Sequence, residues 1–197
     1  MTPTPDLQTT LQALRSPDVR VQNEGVDRAL ALGAVAVPAL LSLLADGSAS
    51  RAQVMYALAQ LGDSRAHDAF EAGLLDTDDT VRAHAAVGMA QSGHPDALRA
   101  LLQTLDDAPD RLHLDLTPAA LALPALGAAA APALLDLMRA AAPMTRLHAQ
   151  RAFEGLIARL GIAAPPGPAY AHDAAAPARQ AAVQRWRDAL DLPRTTP

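Results

Sequence analysis

The sequence contains no cysteine and no lysine. The first absence excludes a disulfide framework, a thiol nucleophile and every cysteine-ligated metal site. The second leaves all 16 basic side chains as Arg, and the acidic side is biased too, with 18 Asp against three Glu. These biases fit GC-rich codon usage and assign no function. Aromatic residues number five in 197, and Val and Ile together only 11, too few of the side chains that strands use. What fills the chain instead is 47 Ala and 31 Leu, both strong helix formers. An all-α fold is expected, as one compact domain or one short repeat array. A net charge of −5 argues against a nucleic-acid or anionic-membrane surface unless the Arg residues gather on one face.

The first seven residues carry neither a basic n-region nor an apolar h-region, which reads against a secretory signal. Residues 116–135 are uncharged over the length of a membrane span, but Pro118, Pro124, Gly127 and Pro132 interrupt them. A helix, a turn at Gly127 and a second helix are expected there. The chain is expected to be cytoplasmic, with no membrane role.

Five Arg residues, Arg20, Arg51, Arg82, Arg111 and Arg146, head similar segments at intervals of 31, 31, 29 and 35 residues. Each segment closes on a glycine: Gly33, Gly62, Gly93, Gly127 and Gly161. Glycine after a helix-period run is a helix stop. Starts are marked by Ser16 before Pro17, by Asp46 or Ser48, by Asp78, and by Asp107 ahead of Pro109. Each Arg is therefore expected in the first turn of a helix that ends at its glycine. Apolar segments at 37–44, 95–102 and 131–138 supply partner helices. The unit is a helical hairpin repeated about five times, over residues 6–33, 34–62, 63–93, 94–127 and 128–161.

The run Asp78-Asp-Thr-Val-Arg-Ala-His-Ala-Ala-Val-Gly-Met-Ala-Gln-Ser-Gly93, with Val-Pro-Ala-Leu-Leu at 37–41, resembles the HEAT-repeat family, in particular short bacterial units of the phycobilisome-lyase type. The likeness covers roughly residues 6–161 and degenerates in the fourth unit, where Pro118 and Pro124 fall. The period is shorter than the roughly 40–47 residues usual for HEAT units. The resemblance implies a right-handed α-solenoid, an α-α superhelix of about five hairpins. Independently, Val81, Ala85, Met89 and Ser92 recur at helical spacing and define a stripe that needs a neighbouring helix to cover it. Small Ala side chains suit close approach of helix axes.

A first helix over about 5–14 points Leu7, Leu11 and Leu14 inward and can cap the N-terminal end. Residues 162–176 read as a Pro/Ala-rich connector. A C-terminal capping helix follows over 177–192, with Trp186 expected to plug the last hairpin. Residues 193–197 are expected to be a disordered tail.

Two residues after each Arg stand Gln22, Gln53, His84, His113 and His148, and the strip three further on includes Tyr56 and Arg151. The resemblance places such positions along a concave face, so these seven are the candidate partner-binding residues. The same row could equally solvate an exposed face or join neighbouring helices. Two histidines on helices roughly 8–10 Å apart converge poorly, so no metal site is expected. The Arg row has a structural reading: in HEAT arrays the equivalent Arg pairs with acidic residues in neighbouring turns, where Asp18, Asp46, Asp78, Asp79 and Asp107 stand here.

No nucleophile elbow, dinucleotide fingerprint or phosphate loop occurs, and Glu24, Glu71 and Glu154 lie in different units. No catalytic residue and no cofactor is assigned. The expectation is a non-catalytic scaffold binding a protein or peptide; the alternatives are a bilin-lyase-like subunit and a nucleic-acid-binding HEAT-like protein.

Overall fold

Polar caps start the helices and glycines stop them. In the computed structural model, which describes residues 6–140 and 142–193, the order is α1 (Leu7–Leu14), α2 (Val19–Leu32), α3 (Val37–Asp46), α4 (Arg51–Leu61), α5 (His67–Gly73), α6 (Asp79–Gln91), α7 (Ala97–Gln103), α8 (Pro118–Ala122), α9 (Ala131–Leu137), α10 (Pro143–Leu160) and α11 (Ala176–Ala189). Three 3-10 segments, Gly33–Val35, Ser64–Ala66 and Leu123–Ala130, join some of them. The described residues contain no strand. The fold is all-α, as the composition requires.

The five repeat glycines all adopt left-handed φ, between 59° and 72°. A side chain at φ above zero meets the backbone, so glycine is the residue that lets the chain turn there. Gly127 shows the effect most directly. At φ 70° and ψ −160° it breaks the apolar stretch Pro118–Leu137, which by length and composition alone could cross a membrane, into pieces on either side of a kink.

The chain divides into two compact units, Met1–Ala100 and Leu101–Pro197, with α7 running across the division. In the first, α1 packs on α2, α3 on α4 and α5 on α6, while the second helices α2, α4 and α6 pack on one another in series. Its core is Leu14, Val26, Leu40, Val54, Leu58, Phe70 and the α6 stripe Val81, Ala85 and Met89, each at most 3% exposed. Ser92, at the end of that stripe, is only half-buried and bonds its hydroxyl to the Gly88 carbonyl at 2.8 Å. Helices approach so closely that a Cβ at Gly88 would lie 2.3 Å from the Phe70 ring.

In the second unit α10 is the hub, packing on α8, on the 3-10 segment that follows α8 and on α9, while α11 packs on α9. The connector between α10 and α11 is irregular. Of the expected tail, residues 194–197 lie outside the described residues.

Three of the expected helix starts are displaced. Asp18, not Ser16, caps α2, accepting the Arg20 N–H at 2.8 Å, while Ser16 accepts the Asp18 N–H. Ser50 caps α4, because the Asp46 carboxylate is engaged with the Ser48 N–H at 2.8 Å. In the fourth unit the start moves from Asp107 to Thr117. Its hydroxyl accepts the Ala120 N–H and donates to the Leu105 carbonyl, and Pro118 takes the first helical position.

Candidate functional site

The displaced start in the fourth unit removes two residues from the expected rows. Arg111 and His113 stand in the exposed loop between α7 and α8, not in the first turn of a helix. That loop is ordered by its own bonds: the Asp110 carboxylate accepts the N–H groups of Leu112 and His113 at 2.7 and 2.9 Å, and the Asp110 N–H donates to the Leu116 carbonyl. It is also fastened to α10. His148, buried to 1% exposure, meets the Asp106 carboxylate through Nδ1 and the Leu114 carbonyl through Nε2, both at 2.7 Å. Arg151 pairs with Asp115 in the same loop and with Glu154 on its own helix. His148 is thus an internal staple that contacts no groove, and Arg151 is committed to acidic neighbours.

The Arg row is not one ladder. Arg51 reaches an acidic turn in the next unit, gripping Asp76 through Nε and Nη2 at 2.8 and 2.9 Å. The guanidinium beside Asp76, with the Asp78 N–H, holds that carboxyl below the usual range. Arg20 projects into solvent with its side chain 92% exposed. Arg82 and Arg146 turn back to backbone carbonyls six residues upstream, Asp76 and Ala140, each at 2.9 Å; Arg146 also donates to the His172 carbonyl. Gln22 makes the same six-residue bond, to Ser16 at 2.7 Å. Counted from their helix caps, Asp18, Asp78 and Ala142, these three are equivalent positions. Gln22 is therefore the partner of Arg82 and Arg146 in the repeat, and the position matching His84 in the first unit is Glu24.

What remains of the candidate row lies together. Gln53 and Tyr56 on α4, with Thr80 and His84 on α6, line a shallow depression of about 250 Å³. The Tyr56 and His84 rings meet edge to face, centroids 5.0 Å apart at 62°. All four side chains are half-buried, and no charged residue lines the depression. Burial pushes the His84 imidazole below the usual histidine range, against the opposing pull of Asp78. Among the described residues, none hydrogen-bonds the Gln53 side-chain amide, the Tyr56 hydroxyl or the His84 ring, while the Gln53 backbone N–H donates to the capping Ser50 hydroxyl. A face with neutral donors and acceptors still open, set beside two rings, can receive backbone amides and apolar side chains.

Several anchoring residues escaped the sequence reading. Asp76 stands two residues before the cap Asp78 and Asp46 two residues before Ser48, and each accepts the N–H two residues on. That Asx-turn spacing was the available signal. Asp106 and Asp115 carried none, since their partners lie more than 30 residues away. His94, which donates Nε2–H to Glu71 at 3.1 Å while its Nδ1 accepts from the Asp96 N–H, and whose ring meets His67 edge-on, likewise fixes the α5–α6 end.

Hairpins whose second helices pack in series define a helical-repeat protein. Residues 37–116 match the family model described as HEAT repeats, and this stretch of the chain carries HEAT repeats. The match is to the HEAT repeat as such and does not single out the phycobilisome-lyase type. No curated protein and no solved structure matches the chain. HEAT repeats are commonly protein-interaction scaffolds and generally non-catalytic.

Proposed function

We propose that the chain is a non-catalytic scaffold that binds a protein or peptide on the α4–α6 face, with Gln53, Tyr56 and His84 as its contacts. The observation that supports this reading is the convergence of those three side chains, unengaged by the rest of the protein, on the packed second helices of a HEAT-type hairpin pair. The partner presents an uncharged segment to the depression, whose lining has no charge to pair with. The nucleic-acid and bilin-lyase-like alternatives draw no support from this face, which offers no Arg to a phosphate. The chain acts in the cytoplasm on this reading, without a cofactor.

A displayed random-peptide library selected on the whole chain provides the test. Selected peptides are expected to lose at least tenfold in affinity against Tyr56→Ala and His84→Ala, with far-UV circular dichroism unchanged. Peptides that bind both variants as tightly as the parent would overturn the assignment of the face.

A further inference from the structure

Three of the five aromatic residues in the whole chain, Phe153, Tyr170 and Trp186, line one cavity of about 380 Å³ in the second unit. The cavity is walled by α10, the connector after Gly161 and α11. Its size falls within the roughly 300–1,000 Å³ of small-molecule sites. Phe153 and Trp186 stand edge to face at 5.1 Å and 82°, an arrangement that fixes both rings. Trp186 covers the last hairpin as a capping residue would, yet it remains half-buried beside open space.

The Tyr170 hydroxyl already donates to the Met138 carbonyl at 2.5 Å. Arg185 donates to the Pro168 carbonyl and packs against Gly167, where a Cβ would lie 3.0 Å from its Nε, so its guanidinium closes the connector. Acceptors stand in the same wall. Gln150 donates its amide N–H to Glu154 at 2.7 Å, which orients the amide and leaves its Oε1 buried with no donor. The Glu154 carboxylate, half-exposed, accepts from Gln150 and Arg151 and keeps further lone pairs.

We infer that this cavity is a binding site for a small protonated amine carried on an aromatic or aliphatic body. The body fills the space between the Phe153, Tyr170 and Trp186 rings. The ammonium group donates to the Glu154 carboxylate and is attracted by the ring faces. This site is separate from the α4–α6 face and does not depend on the scaffold reading.

Trp186 is the only tryptophan of the chain, so its fluorescence reports on the cavity wall. The whole chain is titrated with 2-phenylethylamine and, as the charge-reversed control, with 3-phenylpropanoate. The amine is expected to change the emission saturably and to bind at least tenfold more tightly than the acid. Glu154→Gln is expected to weaken the amine at least fivefold, and Ala158→Phe, which projects into the cavity from α10, to abolish the response. Circular dichroism checks that both variants fold. No saturable response to the amine would overturn the site, equal binding of amine and acid would overturn the ligand class, and an unaltered response in Ala158→Phe would overturn the location.

Discussion

The two units of the chain use one repeat in opposite ways. In residues 1–100 the hairpins are regular, their second helices pack in series, and the side chains on the α4–α6 face are left open. In residues 101–197 the fourth hairpin is cut short by prolines, and its long loop is fastened to α10 by Asp106, Leu114 and Asp115. The same row position therefore has opposite fates: His84 faces a depression, while His148 is consumed inside. The regular hairpins leave side chains open, whereas the irregular one spends them on holding a loop.

Substitutions can break this contrast, and the largest effect belongs to the regular half. Gly88→Ala forces a methyl into the Phe70 ring and is expected to cost about 3 kcal/mol in urea unfolding, at the upper end of ordinary overpacking. An unchanged midpoint would mean the helices are looser than the 2.3 Å approach implies.

Next comes the staple of the irregular half. His148→Ala leaves a carboxylate and a carbonyl without their partner and is expected to cost about 2 kcal/mol. Hydrogen exchange at residues 106–116 should accelerate while α4 and α6 stay protected. Uniform acceleration across the chain would show that the loop is not held locally.

Asp76→Ala removes the Arg51 pair and the bond to the Asp78 N–H together, with an expected loss of about 1 kcal/mol. Arg51→Ala should lose less, since the turn bond survives, and Arg20→Ala should change nothing measurable. Equal losses in the two Arg variants would restore a uniform ladder.

The smallest effect is a pH dependence. Because burial lowers the His84 value, the unfolded chain takes up the proton more readily than the native one. The stability this group contributes is whole above the ordinary histidine range and declines as pH falls from that range toward the lowered native value. His84→Gln should flatten that segment of the stability profile; an identical slope in the variant would contradict it.

The glycine stops could be read in the sequence because positive φ is a local demand that a single residue meets. The α6 stripe could be read because it repeats within one helix. Helix starts in the fourth unit could not. Asp107 before Pro109 and Thr117 before Pro118 carry similar cap signals, and the choice is made by bonds from Asp106 and Asp115 to residues more than 30 positions away. The Arg spacing misled for a related reason. Equivalence follows the helix cap, so Gln22, Arg82 and Arg146 share a role while Arg20, at the expected interval, is in solvent. Of the candidate binding residues, Gln53, Tyr56 and His84 gather because α4 and α6 pack directly on one another, with Gly62 at the end of α4 set against the Gln91 backbone at the end of α6.

Photocrosslinking with p-benzoylphenylalanine at position 56, compared with the same group at position 113, tests the central claim most directly. A discrete adduct from position 56 that a selected peptide competes away is expected, and none that it competes away from position 113. A competed adduct from position 113 alone would contradict it.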